Sequence, residues 1–350
     1  MEEYFHIAID LLKQIIAIPS LSGDEGLRAD FLSDWLENHG HVVERYDNNL
    51  IVSSIIHDNF PLVLLNTHMD TVKPVDGWEM DPFLPEELDG KIYGLGSNDA
   101  GASLVSLIIA FLLLSEEVRD YNLKLLISAE EENSGPKGIS SVIEKVGKID
   151  FAVVGEPTGM DMAVCERGLL VLDGYAKGKA GHVAHHTGDN AIYKALRDIE
   201  KIRNMSFDKE SEFLGKVKAE VTQIEGGYQH NTVPDKCHFV VDVRVNELYT
   251  NEEIAEYFQE KLESEIVPRS YRLRSSFINA DHPIVKLGVD MGLKTFGSHT
   301  MSDQALIPAP SVKIGPGDSQ RSHNADEYIE TEEIKKGIDI YYKLLTNIEL

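Results

Sequence analysis

A histidine and two aspartates occur where a parallel sheet would present them to a ligand. His68 and Asp70 follow Pro61–Asn66, an apolar run typical of a strand that is buried on both faces. Residues two apart in an extended chain project from the same side, so both side chains are expected at the end of that strand. Asp99 lies in the glycine-rich segment GLGSNDAG, directly before an apolar helix. These residue types suit a metal-ligating imidazole with a carboxylate that orients it. Taken singly, a capped turn or a hydrogen-bonded histidine explains each element equally well.

Later strand ends supply further potential ligands. The predicted strand Leu123–Ala129 runs into Glu130–Glu132, the predicted strand Phe151–Val154 is followed by Glu156, and His323 lies near the end of the chain. Two histidines and several carboxylates suit a pair of divalent cations that share a bridging carboxylate. A carboxylate left unligated beside them could serve as general base. A single-metal structural site is the alternative.

Composition places the chain among soluble globular proteins and bounds its partners. Its 350 residues are 42% hydrophobic and 26% charged, which predicts two folded domains. A formal net charge of −26 argues against binding to nucleic acid or to an anionic membrane surface. The two cysteines, Cys165 and Cys237, form neither a disulfide framework nor a thiolate zinc site. The apolar run Leu104–Leu114 is too short to span a bilayer, so we expect a core helix and a cytoplasmic protein.

The order of predicted elements divides the chain into a discontinuous domain and an insertion. Strands alternate with helices over residues 1–167 and again over 278–350, which predicts an α/β domain with a mostly parallel sheet flanked by helices. Residues 168–277 show alternating strands with two helices, as in a small inserted α+β domain. Near the start, Ser22-Gly23-Asp24-Glu25 has the composition of a cap for a helix that runs to about Asn38.

Five segments occur in an order that is specific when they are taken together. They are Thr67-His68-Met69-Asp70, Gly94-Leu95-Gly96-Ser97-Asn98-Asp99, Ser128-Ala129-Glu130-Glu131-Glu132, Gly155-Glu156-Pro157-Thr158 and the late His323. In this order and approximate spacing they resemble the aminoacylase/carboxypeptidase G family of dizinc amidohydrolases. That family includes acetylornithine deacetylase and succinyl-diaminopimelate desuccinylase. The resemblance covers nearly the whole chain.

The resemblance implies two divalent metal ions, zinc first, with cobalt or manganese as alternatives. It implies that Asp99 bridges the ions, with these further ligands: His68 and Glu156 on one ion, Glu132 and His323 on the other. Glu131 would then be the general base, and Asp70 would orient the histidine ligand. A one-residue slip in the run of three glutamates leaves an alternative, in which Glu130 is the base and Glu131 a ligand.

The inserted segment carries three further matches to the family. His182, in Gly-His-Val-Ala, would stabilise the oxyanion from a partner subunit of a homodimer; without the resemblance, a histidine-rich surface turn is the preferred explanation. Asn231 would contact substrate from a loop that is otherwise an ordinary glycine turn. Arg244 could hold a substrate carboxylate, or form an internal ion pair with Asp242.

The implied reaction is removal of a short acyl group from a small N-acyl amino acid. Within the family, N-acetylornithine deacetylation, a step of arginine biosynthesis, is the first expectation because the chain is of modest length and lacks extra elements. Succinyl-diaminopimelate desuccinylation is second, and a dipeptidase or aminoacylase is third. A non-catalytic metal-binding protein on the same fold is the alternative from another class.

Asp303 would lie in a loop that shapes the pocket, and Glu327 would lie either at the surface or behind the ligands.

Overall fold

The computed structural model describes residues 2–54, 56–185 and 187–350, which form two compact units. The first unit contains the described residues up to Val164, together with Phe277–Phe296 and Ser302–Leu350. The second contains Cys165–Ser276 and Gly297–Met301. The predicted boundaries, 1–167 with 278–350 and 168–277, lie close to these but omit the short return at 297–301.

The regular elements alternate as the sequence pattern predicts. The helices of the described chain are α1 (Glu2–Ile16), α2 (Gly26–Asn38), α3 (Ala102–Ser115), α4 (Ile139–Val146), α5 (Ala191–Arg203), α6 (Asn251–Lys261), α7 (Pro283–Asp290) and α8 (Thr331–Asn347). Its strands are β1 (Val43–Tyr46), β2 (Asn49–Ser53), β3 (Leu62–His68), β4 (Glu86–Leu88), β5 (Lys91–Tyr93), β6 (Asn122–Ser128), β7 (Phe151–Val154), β8 (Met162–Glu166), β9 (Gly168–Lys177), β10 (Gly181–His182), β11 (Lys218–Gly226), β12 (Thr232–Val233), β13 (Lys236–Val245), β14 (Glu265–Pro268), β15 (Ser276–Phe277), β16 (Thr295–Ser298), β17 (Ser311–Lys313) and β18 (Tyr328–Glu330).

The central sheet of the first unit runs in the order β1-β2-β6-β3-β7-β17-β8. Its middle is parallel, because β3 pairs in parallel with β6 and β7, and β17 pairs in parallel with β7. In this register His68 lies opposite Ser128, and Asn66 lies opposite Val154. The predicted α/β fold with a mostly parallel sheet flanked by helices is confirmed. The carboxyl ends of β3, β6 and β7 therefore meet at one edge of the sheet.

The helix α3 forms the centre of this unit. Its sequence is apolar on every face, and nearly all of its side chains are buried, including Leu107 and Phe111. The stretch Ser97–Ser115 is long and apolar enough to cross a membrane, but 89% of it is buried inside the protein. Such burial is typical of a core helix, as the sequence predicts.

The predicted side-chain cap before α2 is wrong. The helix begins at Gly26, and no side-chain hydrogen bond caps it. Ser22 Oγ donates instead to an Asp70 carboxylate oxygen at 2.7 Å, and the buried Glu25 carboxylate accepts the Glu130 N–H at 3.1 Å. These polar side chains bind the ends of β3 and β6, which the chain brings against this loop only after folding.

The second unit is an antiparallel sheet with two helices. Its strands have the order β11-β13-β9-β14. Along β9 the side chains alternate, so that Leu170 and Leu172 are buried while Val171 and Asp173 are partly exposed. The buried side chains of β9 and β13 pack with those of α5 and α6 in one apolar cluster.

Candidate metal centre

The His68 imidazole lies at the end of β3 with its Nε2 atom towards two carboxylates. Nε2 lies 3.2 Å from Asp99 Oδ1 and 3.7 Å from Glu156 Oε1. On the other side of the ring, Nδ1 lies 3.0 Å from the Asp70 carbonyl oxygen, which can only accept, so Nδ1 carries the proton. Nε2 therefore faces Asp99 and Glu156. Burial lowers the pKa of this imidazole, but hydrogen bonds with Asp70 and Asp99 hold it well above its usual range, so a metal ion would take the place of the Nε2 proton.

Asp99 lies between the two histidines. Its Oδ1 faces His68, and its Oδ2 lies 3.7 Å from His323 Nε2. His323 Nε2 is also 2.9 Å from Glu132 Oε2. One potential ligand atom each from His68, Asp99 and Glu132 lie within 4.8 Å of one another. This arrangement brings together the five residues that the sequence proposes as ligands, with the aspartate between the two histidines.

A small antiparallel sheet returns His323 to Asp99. β18 pairs with β5, with Tyr328 opposite Tyr93, so the segment before β18 lies beside the segment after β5. His323 has a φ of 61°, a left-handed conformation that is uncommon for a non-glycine residue and that is concentrated at functional sites. His323 is half exposed, whereas His68 is 1% exposed.

The three consecutive glutamates point in different directions. Glu130 has a left-handed φ of 51°, and its carboxylate accepts the Lys137 N–H at 2.9 Å, away from the other candidate ligands. Glu132 contacts His323. Burial raises the pKa of Glu131 well above its usual range; His68 lowers it, and the carboxylates of Glu156 and others raise it. The carboxylates of Glu131 and Glu132 therefore interact with the candidate ligands, whereas that of Glu130 binds the backbone of its own loop.

The donor set fits divalent cations. Burial raises the pKa of Glu156 to about 8 and raises that of Glu132, because carboxylates are packed together out of water. The hydrogen bond with Glu132 raises the pKa of His323 to about 9. When all four are ionised, Asp99, Glu131, Glu132 and Glu156 carry more negative charge than two imidazoles can balance, so the ionised set favours bound cations. Oxygen and imidazole donors of this kind are those that Zn²⁺, Co²⁺ and Mn²⁺ accept.

Asp303 is a buried carboxylate whose part in the site the sequence does not define. It is 4% exposed and accepts hydrogen bonds from the side chains of Ser128 and Asn66, which lie at the ends of β6 and β3. Burial raises its pKa to about 6, while the hydrogen bond from Ser128 lowers it. The charge of Asp303 in turn contributes to raising the pKa of Glu131. The sequence signal is only an acidic residue in a polar loop, which is common at protein surfaces.

Three predicted site residues belong to the second unit. His182 and Asn231 are exposed and lie close together. His182 of β10 is paired with Thr232 of β12, and Asn231, in the turn just before β12, accepts the Val183 N–H through its carbonyl oxygen. Arg244 forms the internal ion pair that the sequence left as an alternative. Its Nε and Nη2 atoms donate to Asp242 at 2.7 and 3.1 Å.

The fold and the cluster define a class of protein, the metallopeptidases, and comparison with known proteins supports this assignment. The sequence pattern of "Peptidase family M20/M25/M40" matches residues 64–347. A Schizosaccharomyces pombe "Peptidase M20 domain-containing protein" is 31% identical over 353 residues, covering 96% of this chain and 84% of that protein. A succinyl-diaminopimelate desuccinylase of Rickettsia canadensis is 24% identical over 376 residues, covering 96% of this chain and 98% of the enzyme.

A solved structure has the same fold. The Bacillus subtilis protein described as a dinuclear metal-binding peptidase of the M20 family superposes with a TM-score of 0.73 at 15% identity, covering 98% of both chains. The chain described here belongs to peptidase family M20/M25/M40. It is a hydrolase that acts on amide bonds.

Proposed function

We propose that this protein is a dinuclear metal-dependent amidohydrolase that removes a short acyl group from an N-acyl amino acid. The observation that carries the proposal is the placement of Glu131, a partly buried residue held beside Glu132 by the Asp70 carboxylate, whose own charge interacts with His68 and Glu156. A protein that only binds metal has no need of an additional carboxylate there. An amidohydrolase needs one to move protons.

The metal ions would be held by the five candidate ligands, with Asp99 between them. Such a pair, when bound, activates a water molecule and polarises the carbonyl oxygen of the substrate. Zinc is the first choice, and cobalt or manganese suits the same donors.

Glu131 acts as general base in this proposal. It takes a proton from the attacking water and passes it to the departing amine nitrogen. Its backbone N–H donates to Asp70 at 3.1 Å, which holds the residue at the end of β6.

His182 completes the proposal as a donor to the oxyanion, supplied by the partner subunit of a homodimer. The surface of the second unit supports such a dimer. β11 is the edge strand of its sheet, and Ile224 on that strand is 51% exposed. Beside it, α5 exposes Tyr193 (63%) and Leu196 (49%). An exposed edge strand beside apolar side chains suits pairing with a second copy.

Sedimentation velocity tests the homodimer. Ile224→Glu combined with Tyr193→Glu is expected to give monomers, because charge would be buried at the contact. Val267→Glu, at an exposed site on the opposite edge strand β14, is the matched control and should stay dimeric. A dimer that survives the first pair of changes contradicts this surface.

N-acetylornithine is the first candidate substrate, because the chain is of modest length and lacks extra elements. N-succinyl-diaminopimelate is the second candidate, favoured by the names of relatives such as the Rickettsia canadensis enzyme. The two acyl groups differ by one carboxylate, so a single cationic contact could decide between them. In the structure Arg244 is paired with Asp242, so it would have to exchange this partner to hold a substrate carboxylate. Turnover on a panel of N-acetyl and N-succinyl basic amino acids and dipeptides separates the candidates.

The reaction itself is tested with Glu131→Ala. Turnover is expected to fall by about 10²–10⁴-fold, while elemental analysis still finds two metal ions per chain. Wild-type turnover in this variant would overturn the proposal. One ion per wild-type chain would indicate a single-metal site instead.

A further inference from the structure

The Glu327 carboxylate lies inside the turn that carries Asp99. The side chain is buried, with the residue 2% exposed. Its Oε1 accepts the N–H groups of Asn98 at 2.8 Å and Asp99 at 2.9 Å, and its Oε2 accepts the N–H of Gly96 at 3.1 Å. Three N–H groups of one turn therefore converge on a single carboxylate, which is the geometry of an anion-binding concavity in the backbone.

The main chain of Glu327 holds the same turn. Its carbonyl oxygen accepts the Gly94 N–H at 3.0 Å, and the next residue, Tyr328, is paired with Tyr93 in the β18–β5 ladder. On the other side of the turn, the Asn98 side chain exchanges hydrogen bonds with the backbone of Asp318. The backbone conformation from Gly94 to Asp99 is therefore held by contacts within the protein, without a bound metal ion.

We propose that Glu327 is a positioning residue for the metal centre, holding the Asp99 turn so that its carboxylate projects between His68 and His323. The inference rests on the proposed dinuclear site, since it assigns Glu327 to the support of the bridging ligand. Residues that fix the orientation of metal ligands typically contribute about 10–100-fold to metal affinity.

Asp326 provides a matched comparison. Its Oδ1 accepts the N–H groups of Glu79 and Met80, both at 3.0 Å. It therefore makes the same kind of contact from the adjacent position, but to a loop that contains none of the candidate ligands.

The test measures Zn²⁺ binding to metal-free protein by competition with a chromophoric chelator. Glu327→Gln preserves size but replaces one acceptor oxygen with an NH₂ group that faces backbone donors. Its Zn²⁺ affinity is expected to fall by about 10–100-fold, and Asp326→Asn should bind as the wild type does. Wild-type affinity in a folded Glu327→Gln protein overturns the inference. If wild-type protein binds no Zn²⁺, the proposed function fails instead.

Hydrogen exchange on the wild-type protein gives a second test. It uses no substituted protein, so misfolding of a variant cannot affect the result. Without metal, the amides of Gly96, Asn98 and Asp99 are expected to be protected, because their acceptor is a buried side chain. Exchange of these amides at the rate of an open loop in metal-free protein would contradict the positioning role.

Discussion

The Asp70 carboxylate accepts the backbone N–H of Glu131 at 3.1 Å, and the same oxygen lies 3.4 Å from His68 Nδ1. The second oxygen accepts the Glu132 N–H at 3.2 Å and the Ser22 hydroxyl at 2.7 Å. A single buried carboxylate thus connects the end of β3, which bears a candidate ligand, to the end of β6, which bears the candidate base. The family resemblance implies only that Asp70 orients the histidine.

Asp70→Asn is expected to reduce both turnover and metal affinity, each by about 10–100-fold. The amide has one acceptor oxygen, so it cannot receive the N–H groups of Glu131 and Glu132 on separate oxygens as the carboxylate does. Steady-state kinetics and metal titration on the same preparation measure the two effects. Loss of turnover with unchanged metal affinity would indicate that Asp70 acts on the base alone.

Ser22→Ala should lower the free energy of unfolding by about 1.5 kcal/mol, because it removes a hydrogen bond to a buried carboxylate. Urea unfolding gives the value. Ser33→Ala, in the half-buried part of α2, is the control and should change stability by less than about 0.5 kcal/mol. Equal effects of the two substitutions would show that the Asp70 contact contributes nothing.

Glu130→Ala tests the register of the glutamate run. Because the Glu130 carboxylate binds the Lys137 N–H, its loss should leave the metal content at two ions and reduce turnover far less than Glu131→Ala does. The two variants are compared under identical assay conditions. The reverse order of activities would establish the alternative in which Glu130 is the base.

Removal of metal by a chelator should lower the thermal unfolding midpoint, because the ions would neutralise carboxylates that lie close together out of water. Burial and the neighbouring carboxylates already raise the pKa values of Glu156 and Glu132. Adding back Zn²⁺ at about 100 times its dissociation constant should restore about 2.7 kcal/mol. Calorimetry with and without chelator measures the shift. A midpoint that does not respond to metal would contradict binding at this cluster.

The lowered pKa of Asp198 allows a prediction of how the stability of the second unit depends on pH. Burial raises the pKa of this carboxyl group, but hydrogen bonds from the Ser264 side chain and from the N–H groups of Glu263 and Ser264 leave it below its ordinary value. A pKa that is lower in the folded state gives a stabilising contribution that is present above the unfolded-state pKa, about 3.9. That contribution is lost as the pH falls through the folded-state pKa.

The substitution Asp198→Asn should therefore destabilise the protein at pH 7, by about 1–3 kcal/mol. The difference from wild type should shrink as the pH falls below about 4. Urea unfolding at a series of pH values follows the difference. A difference that does not depend on pH would show that the charge of Asp198 is not what stabilises this region.

The fold was predictable because its signals are local. Buried parallel strands appear in sequence as short apolar runs, and α3 appears as an apolar run too short for a bilayer. Most of the candidate ligands could also be chosen from the sequence, since they follow a predicted strand or lie in a turn. By contrast, the polar residues Ser22 and Glu25 suggest a helix cap locally, and only the packing of their loop against β3 and β6 gives them different partners.

The sequence by itself determined the α/β class, the family and the residue types that converge at the sheet edge. It could not separate Glu130 from Glu131 and Glu132, because three identical side chains carry no positional information. Tertiary structure directs their carboxylates differently, through the left-handed backbone at Glu130 and the Asp70 contacts to the next two N–H groups. It also buries Glu327 inside the Asp99 turn. Both outcomes depend on contacts between segments far apart in the chain, which no local pattern specifies.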